Sequence, residues 1–294
     1  MTIVIALPGG EAQAAKLGAR LHAAVVTPEI HRFPDGELCV RVEPASVAGH
    51  DAVLCGSLHQ PSDKFLLVSF LAATLRDHGA RKVGLVAPYL AYMRQDAAFH
   101  PGESVTARYF GRLMSQAVDW MVTVDPHLHR LASLDGIYTI PTTIARAAPS
   151  IARWITSEVA HPVLVGPDAE SVQWVAAVAE ACRAPYVILD KTRRGDRDVS
   201  VSSPGAHING HNPVLIDDIV STGRTMLEAT KQLRLAGSAA PVCVAIHAVF
   251  ADAVDEQLLG AGARAIVSCD TIPHASNKIC VADSIADAVR GYLA

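Results

Sequence analysis

Short apolar runs rich in valine, isoleucine and leucine alternate along this chain with longer stretches of helical periodicity. The runs fall at 3–7, 52–56, 82–87, 120–124, 163–165, 186–189, 214–216, 242–247 and 265–268. Helical patterns cover 12–21, 64–78, 106–118, 147–156, 171–182, 225–235 and 251–259. A last amphipathic stretch at 284–293 places Ile285, Val289 and Leu293 four apart. A helix between successive strands lets those strands pair in one direction. The alternation therefore predicts an α/β fold of mainly parallel sheets flanked by helices. Such sheets bind ligands outside the carboxyl ends of their strands, so the segment after each run is where chemistry is expected.

With 294 residues the chain can hold two domains, each with its own core. One βα series ends and another begins near 141–149, which divides the chain into residues 1–145 and 146–294, the last helix packing back on the first domain. Half the residues are hydrophobic and 18% are charged, the composition of a folded protein. A net charge of −4 without a long basic run excludes nucleic acid as the main partner. Six scattered cysteines form no CxxC pair, and several lie in apolar runs, which suits small buried residues in a reducing cytoplasm. The longest apolar stretch, 65–75, is too short to span a bilayer, carries Ser69 and Thr74, and reads as a buried helix.

The densest polar constellation is Val214-Leu215-Ile216-Asp217-Asp218-Ile219-Val220-Ser221-Thr222-Gly223-Arg224-Thr225. Three apolar residues end in two carboxylates, a small hydroxyl-rich loop and a helix. The loop's N–H groups and the hydroxyls of Ser221, Thr222 and Thr225 suit a phosphate at a helix N-terminus. Carboxylates beside a phosphate cradle make sense if they take sugar hydroxyls or a divalent cation, and a ribose 5-phosphate offers both a diol and a phosphomonoester. Helix capping by Asp218 or Ser221 explains one polar residue of this set, not the six among the nine from Asp217 to Thr225.

Other segments admit two readings each. Arg94, Gln95 and Asp96 follow the run at 82–87; they suit phosphate and adenine recognition or an Arg–Asp pair in a tyrosine-packed loop. Phe33-Pro34-Asp35-Gly36-Glu37 reads as a turn or flag-like hairpin. Asp125-Pro126-His127-Leu128-His129 offers an HxH pair, but no further zinc ligands stand at matching spacing. Asp168 and Glu170 suit a metal or hydroxyls, while Glu170 or Ser171 can simply cap a helix. Lys191-Thr192-Arg193-Arg194-Gly195-Asp196-Arg197-Asp198 is a charge run, ordinarily a solvated loop, whose cations could also close over a polyphosphate.

In this order, these segments resemble the ribose-phosphate diphosphokinase (PRPP synthetase) family, and the chain is identified as a divergent member. The resemblance implies two phosphoribosyltransferase-like domains, the first binding ATP and the second ribose 5-phosphate. It implies transfer of the diphosphoryl group of ATP to the anomeric hydroxyl, giving PRPP and AMP. It assigns Phe33, Asp35, Glu37, Arg94 and Gln95 to ATP, with the hairpin reaching the nucleotide of a neighbouring subunit in a homo-oligomer. It assigns His127 and Asp168 to Mg2+, and Lys191 and Arg193 to transition-state stabilisation. Asp217, Asp218, Ser221, Thr222, Gly223, Arg224 and Thr225 go to ribose 5-phosphate. Ser221 stands where many members carry a third acid, Arg224 where they carry a small residue, and Ala169-Glu170-Ser171 where they carry a glycine pair. A PRPP-consuming phosphoribosyltransferase would share the carboxylate-loop motif without needing the Arg-Gln segment, hairpin or Lys-x-Arg loop. A non-catalytic regulatory relative should have eroded catalytic positions.

Overall fold

A computed structural model describes residues 1–189, 191–194, 198–201, 208, 210–251 and 253–293, with the backbone alone at 191–194 and 198–201. The chain divides into two compact units, Met1–Arg146 with Ala282–Ala294, and Ala147–Val281.

The first unit runs β1 (Thr2–Ala6), α1 (Glu11–Leu21), β2 (Ala24–Val26), β3 (Glu29–Arg32), β4 (Leu38–Arg41), β5 (Asp51–Cys55), α2 (Pro61–Asp77), β6 (Lys82–Ala87), α3 (Thr106–Ala117), β7 (Trp120–Val124) and β8 (Thr142–Ala145). The second runs α4 (Ala148–Glu158), β9 (Pro162–Gly166), α5 (Val172–Cys182), β10 (Tyr186–Ile188), β11 (Lys191–Arg194), β12 (Asp198–Val201), β13 (Asn212–Val220), α6 (Arg224–Leu235), β14 (Val242–Ala248), α7 (Val254–Gly260), β15 (Ala265–Cys269) and β16 (Asn277–Ile279). The closing helix α8 (Ala282–Arg290) returns to the first unit.

Each unit is built on a parallel sheet, ordered β2-β1-β5-β6-β7-β8 in the first and β10-β9-β13-β14-β15-β16 in the second. Each also inserts an antiparallel hairpin, β3–β4 or β11–β12, at the same step of the chain. The duplication that is not visible in the sequence is plain in the strand order. The central strands are buried on both faces, which is why they read as unbroken apolar runs rather than as alternating ones.

Two expectations change. The strand expected at 214–216 continues to Val220, pairing Asp217 with Ala245 and Ile219 with His247. The carboxylates thus lie within the strand's last turn of pleat, not in the loop beyond it. The apolar run at 65–75 is also not buried all round. Leu67, Val68, Leu71, Ala72 and Leu75 face the core, whereas Leu66 and Phe70 are 49% and 42% exposed, so α2 is a one-sided surface helix. Among the described residues no helix is long and apolar enough to cross a membrane. All six cysteines are free. Cys55, Cys243 and Cys269 are buried, and burial pushes the thiols of Cys55 and Cys243 up to about 12 and about 11.

α8 joins the first unit through a small aromatic stack. Gly84 of β6 pairs with Trp120 of β7, and a Cβ at Gly84 would fall 2.0 Å from the indole ring. The missing side chain lets Trp120 lie over β6. Tyr292 then stacks on Trp120 at 4.6 Å with the rings 5° apart, its hydroxyl 2.6 Å from Thr143 Oγ1. Arg20 pairs with Asp283 and Arg290 donates to the Arg20 carbonyl, while Ile285, Ala286 and Val289 are buried. Tyr292→Ala should therefore cost about 2 kcal/mol and lower the thermal midpoint of the full chain by roughly 4–8 °C. A scan with an unchanged midpoint would show that the stack contributes nothing.

Candidate active site

In the first unit the chain leaves β6 at Pro88, whose carbonyl accepts from Val124 N–H, and the Tyr89 carbonyl accepts from Leu58 N–H. It then turns sharply at Tyr92, which sits in the left-handed region at φ 65°. Gln95 N–H donates to the Tyr92 carbonyl, and Ala107 N–H, at the start of α3, donates to the Gln95 carbonyl. A non-glycine residue held at positive φ costs about 1–2 kcal/mol, so packing around it must hold the turn in place. The result is a tight loop that exposes Arg94 and Gln95 at the carboxyl end of the sheet and buries Asp96 beneath them.

The neighbouring strand β7 ends in a second strained residue, Asp125, at φ 29°. Its side chain is 3% exposed and accepts from Arg146 Nη1 at 3.0 Å, and its N–H donates to the Ala145 carbonyl. This fixes the entry of a half-buried loop in which the rings of His127 and His129 meet edge to face, 3.9 Å between centroids. The turn between β3 and β4 is closed by Phe33 N–H to the Glu37 carbonyl and Gly36 N–H to the Phe33 carbonyl. Asp35 Oδ1 takes the Glu37 N–H. Phe33, Asp35 and Glu37 all stand exposed at its tip, so the hairpin is presented to solvent while β4 packs on α2.

In the second unit β13 delivers Asp217 and the 4%-exposed Asp218. Asp217 Oδ1 accepts from Asp218 N–H and Asp218 Oδ1 from Ile219 N–H, which sets both carboxylates. The chain then crosses Ser221 and Thr222 to Gly223, left-handed at φ 67°, and enters α6 with Arg224 and Thr225 in its first turn. The Ser221 carbonyl is held by Ala251 N–H from the loop after β14. N–H groups at a helix start are unpaired within the helix, so the turn formed by Ser221, Thr222, Gly223, Arg224 and Thr225 can offer donors to an anion beside two acids. Asp168, after β9, spends Oδ1 on the Glu170 N–H and its carbonyl on the Ser171 hydroxyl. The capping offered to Glu170 or Ser171 in the sequence thus falls to Asp168, at a short 3-10 turn. Lys191 and Arg193 lie on β11, opposite Val201 and Val199 of β12, and their side chains fall outside the described residues.

Sequence reading missed three participants in these loops: Arg146 on Asp125, Arg130, whose Nη1 donates to Asp96 Oδ1, and Val254, which stands against Gly223. Each acts on a residue that is distant in sequence or belongs to another element, so local spacing holds no signal for it.

Residues 2–117 match the model for the N-terminal domain of ribose phosphate pyrophosphokinase, and residues 135–283 match the phosphoribosyl transferase domain. The chain belongs to the ribose-phosphate pyrophosphokinase family. The ribose-phosphate pyrophosphokinase of Methanopyrus kandleri is 32% identical over 98% of both chains. That of Halobacterium salinarum is 36% identical over 87% of this chain and 89% of its own. The crystal structure of phosphoribosylpyrophosphate synthetase from Mycobacterium smegmatis superposes with a TM-score of 0.84 at 24% identity, over 99% of each chain, and shares the fold. Membership of the ribose-phosphate pyrophosphokinase family thus extends over both units and their hairpins, beyond the carboxylate-loop motif.

Proposed function

We propose that this chain transfers the β,γ-diphosphoryl group of ATP to the anomeric hydroxyl of ribose 5-phosphate, giving PRPP and AMP. The anomeric oxygen bonds to the β-phosphorus, the bond from that phosphorus to the α,β-bridging oxygen breaks so that this oxygen leaves on AMP, and the hydroxyl proton passes to solvent. The observation that carries this reading is β13, which carries adjacent carboxylates near its carboxyl end and turns through a left-handed glycine into α6.

The residues divide the work between binding and charge stabilisation. Arg94 and Gln95 hold the ATP in the first unit, the arginine fork on phosphate oxygens. Phe33, Asp35 and Glu37 reach the adenine of a neighbouring copy in a homo-oligomer. Asp217 and Asp218 orient the ribose hydroxyls, and Ser221, Thr222, Gly223, Arg224 and Thr225 cradle the 5-phosphate, with Arg224 adding a charge there. Lys191 and Arg193 stabilise the bridging and leaving oxygens. His127 and Asp168 would hold Mg2+, with the Asp168 carboxylate as the hard oxygen donor this ion prefers. When bound, the ion neutralises charge on the phosphate oxygens. The six free cysteines suit a reducing cytoplasm.

The test is formation of AMP and PRPP by the purified chain given ATP, Mg2+ and ribose 5-phosphate. Equal, sugar-dependent yields that vanish on metal removal are expected. Saturable binding of ATP or ribose 5-phosphate without turnover would leave a regulatory relative instead, and consumption of PRPP with a free base would indicate a phosphoribosyltransferase.

A further inference from the structure

Asp96 follows Arg94 and Gln95 directly, yet it is buried where they are exposed. Its side chain is 2% exposed, and Oδ1 accepts from Arg130 Nη1 at 2.8 Å. Oδ2 is buried as well and has no protein partner among the described residues. The Arg130 guanidinium also lies over the ring of Phe99, 4.9 Å from its centroid. One cation is thus held by a buried carboxylate and by an aromatic face, both on the segment that presents Arg94 and Gln95. Arg130 itself lies three residues beyond His127, on the loop whose entry is fixed by Asp125 and Arg146.

We infer that Arg130 is a positioning residue: with Asp96 and Phe99 it clamps the loop carrying His127 and His129 onto the segment carrying Arg94 and Gln95. This rests on the reading that the segment binds ATP, and it adds how the two loops keep one register. The pair differs from an ordinary surface ion pair in one respect. Removing the arginine strands a buried carboxylate that has little water to turn to, so the segment must shift to solvate it. That shift displaces Arg94 and Gln95, and displacements of about 1 Å cost roughly a hundredfold in rate when reacting groups must be aligned. The ribose 5-phosphate residues belong to other strands and should not feel the change.

The test uses the full chain, with kcat normalised to the folded fraction from near-ultraviolet circular dichroism and both KM values measured alongside. Arg130→Gln should lower kcat by roughly 30–100-fold and raise KM for ATP several-fold, with KM for ribose 5-phosphate within about twofold of the parent. Arg130→Lys should recover part of the loss, since it restores the charge without the fork or the stacked plane. Arg130→Gln combined with Asp96→Asn should be no worse than the poorer single variant, because the two act as one unit. An unchanged KM for ATP with an unchanged normalised kcat, or additive losses in the double variant, overturns the clamp. Arg94→Ala separates the two levels. If it leaves KM for ATP unmoved, the nucleotide reading falls. If it raises KM while Arg130→Gln is silent, only the clamp falls.

Discussion

Lys191→Ala is expected to reduce kcat by about three orders of magnitude while KM for ATP moves by less than about threefold. Diphosphoryl transfer offers a protein little covalent work; the barrier is lowered by cations placed where negative charge moves as the bond to the leaving oxygen lengthens. Lys191 opens β11, the first strand of the second unit's hairpin, with Arg193 two residues on. An ammonium meeting the bridging oxygen contributes in the transition state and little in the ground state, so its loss should fall on turnover. On the proposed reading ATP keeps Arg94 and Gln95 in this variant and should bind nearly as before. Single-turnover quench with labelled ATP separates chemistry from product release, and equilibrium binding gives the dissociation constant directly. Equal losses in binding and rate would make Lys191 an ordinary phosphate ligand and remove it from the reaction's charge stabilisation.

Gly223→Ala should raise KM for ribose 5-phosphate by roughly 30–100-fold, with a smaller effect on KM for ATP. The residue stands at φ 67°, which costs alanine about 1 kcal/mol or more. A Cβ there would also sit 2.6 Å from Val254 Cγ1. Val254 is 2% exposed within the core that packs Met226, Leu233 and Leu258 against β13 and β14, so it has little room to yield. The turn must open instead, moving the Ser221, Thr222 and Thr225 hydroxyls off the proposed phosphate position. Adding Val254→Ala removes the collision but not the backbone cost, so the double variant should regain affinity in part despite the cavity it creates. A Gly223→Ala enzyme with an unchanged KM for ribose 5-phosphate would sink the cradle assignment. A double variant no better than the single would show that the backbone conformation, not Val254, is what alanine violates.

The fold class was legible because the central strands of a parallel sheet are apolar on both faces, and β1, β5, β6, β7, β13, β14 and β15 all announce themselves in this way. The strands that escaped are short or lie at sheet edges. β8 (Thr142–Ala145) sits among prolines and threonines and reads as a linker, and β16 (Asn277–Ile279) has three residues, one of them lysine. β13 was truncated in sequence reading because two aspartates look like a strand end, although β14 continues to pair beside them. At the candidate site, residues clustered in sequence were visible, such as Asp217 to Thr225. What holds them was not. Arg130 meets Asp96 across 34 positions, and Tyr92 adopts a left-handed conformation that its residue type does not advertise. Local spacing names groups that act; the shape of a loop depends on partners brought in by the topology.

The return of α8 to the first unit has a consequence for how the protein is made. The helix packs on α1, β7 and β8, elements completed before residue 147 is synthesised. At roughly 5–20 residues per second, the ribosome needs on the order of ten seconds to pass through the intervening unit. During that interval the nascent first unit carries an uncovered indole at Trp120 and the bare flank that Ile285 and Val289 will later fill. The N-terminal half is therefore the last to be finished, and a chain released a few residues early fails at its beginning rather than at its end.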